Sequence, residues 1–380
     1  MKFQTKIVHI TPADELTGAI STPIYQTSSY QQLSPDNTKA GFAYTRTANP
    51  TRKAAEDAIA ALEGGRFGFA CASGMAATDC VLKLLNAGDE VVSVNDVYGG
   101  TYRILTTVYN RFGVTSKFVD TTDAQNVADA VSAKTRFVWL ETPTNPTLKI
   151  SDIQAIAAMA HAVGALLVVD NTFLSPALQR PLELGADIVV HSATKYLSGH
   201  GDVLGGFVVL NDEALAEQLK YIHNTSGGVL APLDSWLTLR GVRTLSLRMQ
   251  KHCENATKVA EFLAKHPKVD KVYFPGLPTH KNHDIAKKQQ GGFGGMVSFS
   301  LKDDTIAAAT KFLTSTQVFI LAESLGDVFS LASHPATMTH KSTPPEVRHA
   351  TGTQDSLIRL SVGIEDVDDL IEDIEKALLN

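Results

Sequence analysis

The sequence has few cysteines and lacks any long run of apolar residues. Its three cysteines, Cys71, Cys80 and Cys253, form no CxxC pair and are too few for a disulfide framework. A reducing, cytoplasmic compartment is therefore expected. No apolar run approaches the roughly 20 residues that a membrane helix needs, and the first ten residues lack the apolar stretch of a secretory signal. We therefore expect a soluble protein.

The sequence also lacks an excess of positive charge. Its 34 Lys and Arg residues are outnumbered by 40 Asp and Glu residues, so the formal net charge is −6. This balance gives no electrostatic reason to bind nucleic acid or an anionic membrane. No GxGxxG or P-loop motif is present. His280 and His283 lie close together, but no cysteine or carboxylate pattern completes a site around them, so no metal is expected.

What the sequence does contain is a series of short apolar runs separated by helical patterns. Runs of this kind are typical of strands buried on both faces, so we predict an α/β fold whose large domain has a mostly parallel sheet. A helical stretch over 239–266 leads into a smaller C-terminal α/β domain. The predicted division is an irregular N-terminal arm at 1–46, a large domain at 47–247 and a small domain at 248–380. The predicted strands of the large sheet are 67–70, 90–94, 114–119, 136–140, 166–169, 188–190 and 205–210, and those of the small domain are 269–274, 295–300, 318–321 and 357–361.

Polar residues follow the predicted strands at the edge where an open parallel sheet binds its ligands. Ser73-Gly74-Met75 opens a helix, and its free amides together with the helix dipole predict a phosphate site. Tyr98 lies beside two glycines, where its ring can lie flat over a planar ligand. Asn145 follows another strand, in a loop that two prolines stiffen.

Two further strand ends carry ionisable side chains. Asp170 closes an apolar run, where a carboxylate needs a cation such as a protonated ring nitrogen; a cap on the loop through Asn171 and Thr172 explains it equally well. Lys195 follows two hydroxyls, Ser192 and Thr194, which are suited to phosphate oxygens. A desolvated lysine has a lowered pKa and is then a nucleophile. Taken singly, each feature also has an ordinary structural explanation, and only their conjunction along one sheet edge indicates a cofactor site.

These residues resemble those of the Cys/Met-metabolism family of pyridoxal-phosphate enzymes, which share the aspartate-aminotransferase fold, called fold type I. Members include cystathionine γ-lyases, γ-synthases and β-lyases, and methionine γ-lyases. The resemblance covers nearly the whole chain. The matching motifs are Tyr44-Thr45-Arg46, Asn49-Pro50-Thr51, Ala72-Ser73-Gly74-Met75-Ala76, Glu141-Thr142-Pro143-Thr144-Asn145-Pro146, Val169-Asp170-Asn171-Thr172, Ser192-Ala193-Thr194-Lys195-Tyr196 and Arg359-Leu360-Ser361-Val362-Gly363.

The resemblance implies pyridoxal 5′-phosphate as the cofactor, carried as a Schiff base on Lys195. Lys195 and Tyr98 are the implied catalytic residues, and Arg359 is expected to bind the substrate α-carboxylate. The resemblance also implies a homotetramer built from two dimers, with each active site at a dimer interface. The implied cofactor-binding residues are Tyr44 and Arg46 of the neighbouring subunit, Gly74, Met75, Tyr98, Asp170, Ser192, Thr194 and Lys195, and the implied substrate-binding residues are Asn145, Glu323, Ser324, Thr339 and Arg359.

Within this family, four positions bear on the substrate. Glu323 resembles a glutamate that γ-lyases and γ-synthases carry near the far end of the substrate, where it can pair with the distal ammonium of cystathionine. Gly100 stands where methionine γ-lyases typically have a cysteine. Ala43 and Phe329 stand where acidic residues are common in γ-lyases, a departure from the pattern of narrow cystathionine specificity that allows mixed β- and γ-cleavage. The implied activity is γ-cleavage of cystathionine; the alternatives are cystathionine γ-synthesis and a non-catalytic ligand-binding protein of the same fold.

Overall fold

In a computed structural model, which describes residues 1–339, 341 and 345–379, the strands form a large and a small sheet and a short N-terminal pair. The large sheet has seven strands in the order β3-β9-β8-β7-β6-β4-β5. The strands from β8 to β5 run parallel, and β9 is antiparallel to both of its neighbours. The strands are β3 (Phe67–Cys71), β4 (Glu90–Val94), β5 (Thr115–Val119), β6 (Thr135–Glu141), β7 (Leu166–Asp170), β8 (Ile188–Ser192) and β9 (Gly206–Leu210).

Helices cover both faces of the large sheet, since its strands are apolar on both sides. One face packs on α2 and α6, and the other on α3 and α8. Helix α2 begins where the Asn49 side chain accepts hydrogen bonds from the Thr51 and Arg52 amides, and it ends at Gly64, which adopts φ 77°. The helices of this part are α2 (Pro50–Glu63), α3 (Gly74–Leu82), α4 (Gly99–Arg103), α5 (Ala124–Ala130), α6 (Ile153–Ala162), α7 (Ser175–Leu178), α8 (Glu213–Ser226) and α9 (Pro232–Val242).

The small sheet has five strands in the order β10-β11-β14-β13-β12. Apolar side chains of α10, α12 and α14 pack on it to form a separate core. The strands are β10 (Val269–Tyr273), β11 (Met296–Leu301), β12 (Ile320–Leu321), β13 (Leu331–Ser333) and β14 (Ile358–Ser361), and the helices are α10 (Leu245–Leu263), α11 (His283–Gln289), α12 (Ile306–Ser315), α13 (Pro345–Thr351) and α14 (Val367–Leu379).

The order of the large sheet positions the cavity described below. The chain passes from β4 outward to β5 and then returns to β6 on the other side of β4. Ligands bind at such a reversal, beyond the carboxyl ends of the strands. Tyr98 follows β4, Asn145 follows β6, Asp170 ends β7 and Ser192 ends β8, so all four are carried to the same edge.

The structure differs from the sequence-based expectations in three places. The N-terminal region contains helix α1 (Phe3–Val8) and a hairpin of β1 (Gln32–Ser34) and β2 (Asn37–Thr38), where only irregular chain was predicted. The single helical stretch over 239–266 is two helices, because α9 ends at Val242 and α10 begins at Leu245. Strand β13 is short and gave no recognisable pattern.

The predicted boundary at residue 247 falls inside α10. The first residues of this helix pack in the core of the large sheet and its later residues in that of the small sheet. We propose that the boundary between the two domains lies within this helix.

No helix among the described residues combines the length and the hydropathy that a membrane crossing requires.

Candidate active site

A cavity of about 350 Å³ lies beyond the carboxyl ends of β4, β6, β7 and β8. Segments of the small domain close its other side. Every residue predicted to bind cofactor or substrate within one chain lines this cavity. The lining includes Gly74, Met75, Tyr98, Asn145, Asp170, Ser192, Thr194, Lys195, Glu323, Ser324, Thr339 and Arg359, together with Ser73, Thr78, Thr101, Glu141, Thr172, Phe173, Leu204 and Leu325.

The N-terminus of α3 forms one end of the cavity. Ser73 caps this helix, since its Oγ accepts a hydrogen bond from the Ala76 amide at 3.0 Å. The first amides of a helix have no partner within the helix, so those of Gly74 and Met75 are available to an anion. A Cβ on Gly74 would lie 2.8 Å from the Cβ of Ser192. Glycine is therefore needed for α3 to approach β8 so closely.

The residues after β8 add hydroxyls to the same end. Ser192 ends the strand, and its amide donates to Thr172 Oγ1 at 2.8 Å. Thr194 Oγ1 accepts a hydrogen bond from the Gly205 amide at 3.2 Å. Both hydroxyls line the cavity beside the start of α3. Helix amides and two hydroxyls are a donor set that suits a phosphate group.

Asp170 lies at the floor of the cavity. Its Oδ1 accepts a hydrogen bond from the Thr172 amide at 3.0 Å, so the loop cap that the sequence left open does exist. Burial raises the pKa of this carboxyl above its usual range. Among the described residues, no Lys, Arg or His nitrogen lies within 4.0 Å of it. A carboxylate at the cavity floor without a cation fits a protonated ring nitrogen, so the residues present fit pyridoxal phosphate.

Lys195 extends into the middle of the cavity, where its Nζ donates a hydrogen bond to Ser324 Oγ at 2.6 Å. Burial, and then the positive charge of Arg359, lower the pKa of Lys195 to about 8. Glu323 and Asp327 act in the opposite direction and raise it. Lys195 is therefore a far better nucleophile near neutral pH than an exposed lysine, whose pKa is about 10.4.

This lowered pKa predicts how the cofactor-free protein reacts with pyridoxal phosphate. Below about pH 8 the Lys195 amine is protonated and unreactive, and above it the neutral amine attacks. We expect the rate of attachment, followed by absorbance, to rise with pH through a midpoint near 8. The Lys195→Ala protein gives the background from other amines. A midpoint near that of a free lysine would contradict the effect of burial.

Arg359 is almost fully buried on β14 and faces the cavity. Its Nη1 donates to Asn145 Oδ1 at 2.8 Å, and its Nη2 donates to the Ser324 carbonyl at 2.9 Å. Its Nε has no hydrogen-bond partner within the described part of the chain. Ser324 holds its carbonyl there with φ 90°, a strained value for a residue with a side chain. Thr339 lines the same cavity.

Asp96 holds the loop that presents Asn145. Its Oδ2 accepts a hydrogen bond from Thr144 Oγ1 at 2.6 Å and one from the Thr147 amide at 3.1 Å. These bonds fix the chain on both sides of Asn145. The sequence analysis did not identify Asp96 as a contributor, because its partners lie about 50 positions away.

Glu141 is a second acid that the sequence analysis missed as a site residue. It ends β6 in register with Asp170 at the end of β7. Its Oε2 accepts a hydrogen bond from the Tyr98 amide at 2.9 Å. Burial, and the neighbouring Asp170, raise the pKa of Glu141 well above its usual range. The available signal was the one that identified Asp170, namely a carboxylate closing an apolar strand.

Tyr98 and Gly100 are in direct contact. A Cβ on Gly100 would lie 2.5 Å from Cε1 of Tyr98 and 2.7 Å from the sulfur of Met75. The Tyr98 ring is partly exposed at the cavity, where a planar ligand can stack on it. A cysteine in place of Gly100 would therefore displace this ring.

Tyr44 and Arg46 are the two predicted site residues that the structure does not bring to the cavity of their own chain. They line a separate hollow, and both are exposed. Nη1 of Arg46 donates to the Asn224 carbonyl at 2.6 Å, and the Arg46 guanidinium lies 5.6 Å from the centre of the Tyr44 ring. This placement leaves them available to a different chain.

Comparison with known proteins gives a consistent result. A family model described as Cys/Met metabolism PLP-dependent enzyme matches residues 4–379. A cystathionine beta-lyase of Coxiella burnetii is 53% identical, over 99% of this chain and 97% of the relative. A cystathionine gamma-lyase of Bacillus subtilis is 52% identical over 100% of both chains. A cystathionine gamma-synthase of Mycobacterium tuberculosis is 51% identical, over 96% of this chain and 93% of the relative.

A solved structure extends the similarity to the fold. The crystal structure of cystathionine gamma-lyase from Lactobacillus plantarum complexed with L-serine superimposes with a TM-score of 0.97 and 48% identity. The match covers 100% of this chain and 99% of that one. The predicted α/β architecture is thereby confirmed.

Proposed function

The chain belongs to the family of Cys/Met metabolism PLP-dependent enzymes, and we propose that within it the chain is a cystathionine γ-lyase. Its reaction is the cleavage of the Cγ–S bond of cystathionine, which yields cysteine, 2-oxobutanoate and ammonia. Cleavage at the β-carbon, which yields homocysteine and pyruvate, is proposed as a second activity. Relatives at about 50% identity carry lyase and synthase names alike, so the choice among them depends on the site.

The observation that supports cystathionine as the substrate is the arrangement of charges in one cavity, and the preference for γ-cleavage rests on the resemblance of Glu323 to the glutamate of γ-lyases. The cation of Arg359 lies deep and the carboxylate of Glu323 lies exposed, with the Lys195 amine close enough that both act on its pKa. Cystathionine has an amino-acid group at each end and a thioether between them. Arg359 suits the carboxylate of one end, and Glu323 suits the ammonium of the other.

Each residue has a role that follows from its surroundings. Bound pyridoxal phosphate supplies an electron sink that acidifies the C–H bonds near the substrate amino group. Asn145 and Ser324 fix the guanidinium of Arg359, so that its remaining N–H groups can hold the α-carboxylate. As a neutral amine, Lys195 takes the Cα proton and returns a proton later, since its lowered pKa suits both steps near neutral pH. Asp170 would hold the cofactor by pairing with its protonated ring nitrogen, and Tyr98 would cover the ring.

The test is a product analysis with purified protein and cystathionine. A γ-lyase releases cysteine and 2-oxobutanoate, and a β-lyase releases homocysteine and pyruvate. Mass spectrometry of the thiols and the oxo acids separates the two pairs. Release of neither pair would contradict the proposal, and release of homocysteine and pyruvate alone would replace γ-lyase by β-lyase.

Cystathionine γ-synthase is the second candidate, because a relative of that name is 51% identical. A synthase converts an O-acylhomoserine and cysteine into cystathionine. Incubation with O-succinylhomoserine and cysteine is the discriminating experiment. Accumulation of cystathionine without its subsequent cleavage would favour the synthase.

The Glu323→Gln variant tests the contact with the distal ammonium. We expect kcat/KM for cystathionine to fall roughly two- to fivefold, since an exposed ion pair contributes at most about 1 kcal/mol. L-Homocysteine has the same amino-acid head and no distal ammonium, so its kcat/KM is expected to stay unchanged. Equal losses on both substrates would mean that Glu323 supports the cavity without contacting the ammonium.

We also propose that the active chain is a homotetramer in which Tyr44 and Arg46 bind the cofactor phosphate of a neighbouring subunit. Both residues line a hollow separate from the cavity of their own chain. The same N-terminal region exposes the large apolar residues Leu16, Ile20 and Leu33, which a subunit interface would cover. Light scattering is expected to give a mass of four 40.8 kDa chains. The mass of a single chain would contradict this proposal.

A further inference from the structure

A buried polar pair, Glu63 and His191, lies directly behind the cavity. Glu63 is the last residue of α2, and His191 precedes Ser192 on β8. The Nε2 of His191 lies 2.6 Å from the Oε1 of Glu63, and both side chains have zero exposure. Neighbouring residues of a strand point to opposite faces. His191 therefore lies on the other side of the sheet from Ser192, which lines the cavity.

The pair is connected to β7 as well. Nδ2 of Asn171 donates to Glu63 Oε1 at 2.8 Å, and Asn171 directly follows Asp170. Gln179 extends the connection, since its Nε2 donates to Asn171 Oδ1 at 3.1 Å and to the Thr142 carbonyl at 2.9 Å. The Glu63 carboxylate thus connects the end of α2 with the ends of β7 and β8. Gln179 extends this connection to Thr142, which follows β6.

Hydrogen bonds satisfy this pair only in part. One oxygen of Glu63, Oε2, and one nitrogen of His191, Nδ1, are buried and have no hydrogen-bond partner among the described residues. Buried polar atoms of this kind are costly, and apolar side chains of the same volume are often as stable or more stable in such places. The position of the pair suggests a role near the cavity. His191 adjoins Ser192, and Glu63 bonds Asn171, which adjoins Asp170.

We propose that Glu63 and His191 are positioning residues for the cofactor: they hold the ends of β7 and β8 in the register at which Asp170 meets the ring nitrogen and Ser192 meets the phosphate. This inference rests on the cofactor-binding roles given above to Asp170 and Ser192. Burial raises the pKa of the Asp170 carboxyl, and the interaction with His191, the smallest of the effects on it, acts weakly in the opposite direction.

The test is a double-mutant cycle on cofactor affinity. The variants Glu63→Ala, His191→Ala and the double substitution are prepared without cofactor, and the Kd for pyridoxal phosphate is measured by absorbance titration. Each single substitution is expected to raise this Kd about tenfold, because the ends of β7 and β8 then lose a hydrogen bond that holds Asp170 and Ser192 in position. The double substitution is expected to raise it by clearly less than the product of the two single effects, since both break the same connection.

Glu90→Ala is the matched control. Glu90 is also a buried carboxylate of the large sheet, and its Oε1 accepts hydrogen bonds from Thr135 at 2.8 Å and Ser132 at 3.1 Å. It begins β4, at the edge of the sheet opposite to the cavity. Its loss is expected to lower the unfolding temperature and to leave the Kd for pyridoxal phosphate unchanged.

Two further variants separate the possible failures. Glu63→Gln keeps the side-chain volume and an oxygen acceptor for His191 and Asn171, so its Kd is expected between those of the wild type and Glu63→Ala. It also carries the test if Glu63→Ala does not fold. If Asp170→Ala weakens cofactor binding but the pair variants behave like Glu90→Ala, the inference is overturned. If Asp170→Ala leaves the Kd unchanged, the assumed role of Asp170 is wrong.

Discussion

Replacement of Lys195 by alanine is expected to lower kcat by at least roughly 10⁴-fold. The amine acts as the general base, a role that contributes 10²- to 10⁴-fold in enzymes, and it is also the group that attaches the cofactor. No other lysine lines the cavity among the described residues. The measurement is the rate of oxo-acid formation from cystathionine.

Two observations make this result specific to Lys195. Borohydride treatment is expected to fix the cofactor covalently to the peptide that contains Lys195, and mass spectrometry detects that adduct. The control is Lys53→Ala, which removes an exposed lysine on α2 that pairs with Asp57 and is expected to leave kcat unchanged. Attachment of the cofactor to another lysine, or full activity of the Lys195→Ala protein, would refute the assignment.

The second large effect is expected from Arg359→Lys. Lysine keeps the positive charge but cannot bond Asn145 and Ser324 while presenting further N–H groups to a carboxylate. Breaking a buried, hydrogen-bonded charge contact costs about 2–5 kcal/mol. We therefore expect kcat/KM for cystathionine to fall by roughly 30-fold or more, chiefly through a higher KM.

The control for this substitution is Arg180→Lys, which changes an arginine that pairs with Glu183 at the surface. It is expected to leave KM unchanged. The unfolding temperature of both variants is measured in parallel, since Arg359 is buried. A normal KM in the Arg359→Lys protein would show that the substrate carboxylate is bound elsewhere.

Much of the large sheet could be predicted from the sequence, because its strands are continuous apolar runs. Strand β4 begins and ends at the predicted residues, and β3, β6, β7 and β8 extend the predicted ranges by one or two residues at an end. The antiparallel direction of β9 could not be predicted in this way. The direction of a strand depends on the end of the sheet from which the chain enters it. Apolar composition carries no information about that end.

The site residues likewise divide into those that strand ends indicated and those whose contacts only the folded chain revealed. Asp170 and Lys195 could be proposed from their positions at and shortly after the ends of apolar strands, but only in conjunction with the other strand-end residues, since each taken singly has an ordinary structural explanation. Asn145 was recognised from its loop, but its bond to Arg359 joins residues 214 positions apart. Glu141 was missed as a site residue although it too closes an apolar strand, and the register of β6 and β7 then shows that it lies beside Asp170.

By itself, then, the sequence predicted the strands of the large sheet and the edge of that sheet at which their polar end residues lie. Both follow from strand burial, which is a local property of short segments. Only the tertiary structure decided which of these residues meet: Lys195 with Ser324, Arg359 with Asn145, Glu63 with His191 and Asn171. It also placed Tyr44 and Arg46 away from the cavity of their own chain. These outcomes depend on contacts between distant segments, which no local pattern in the sequence records.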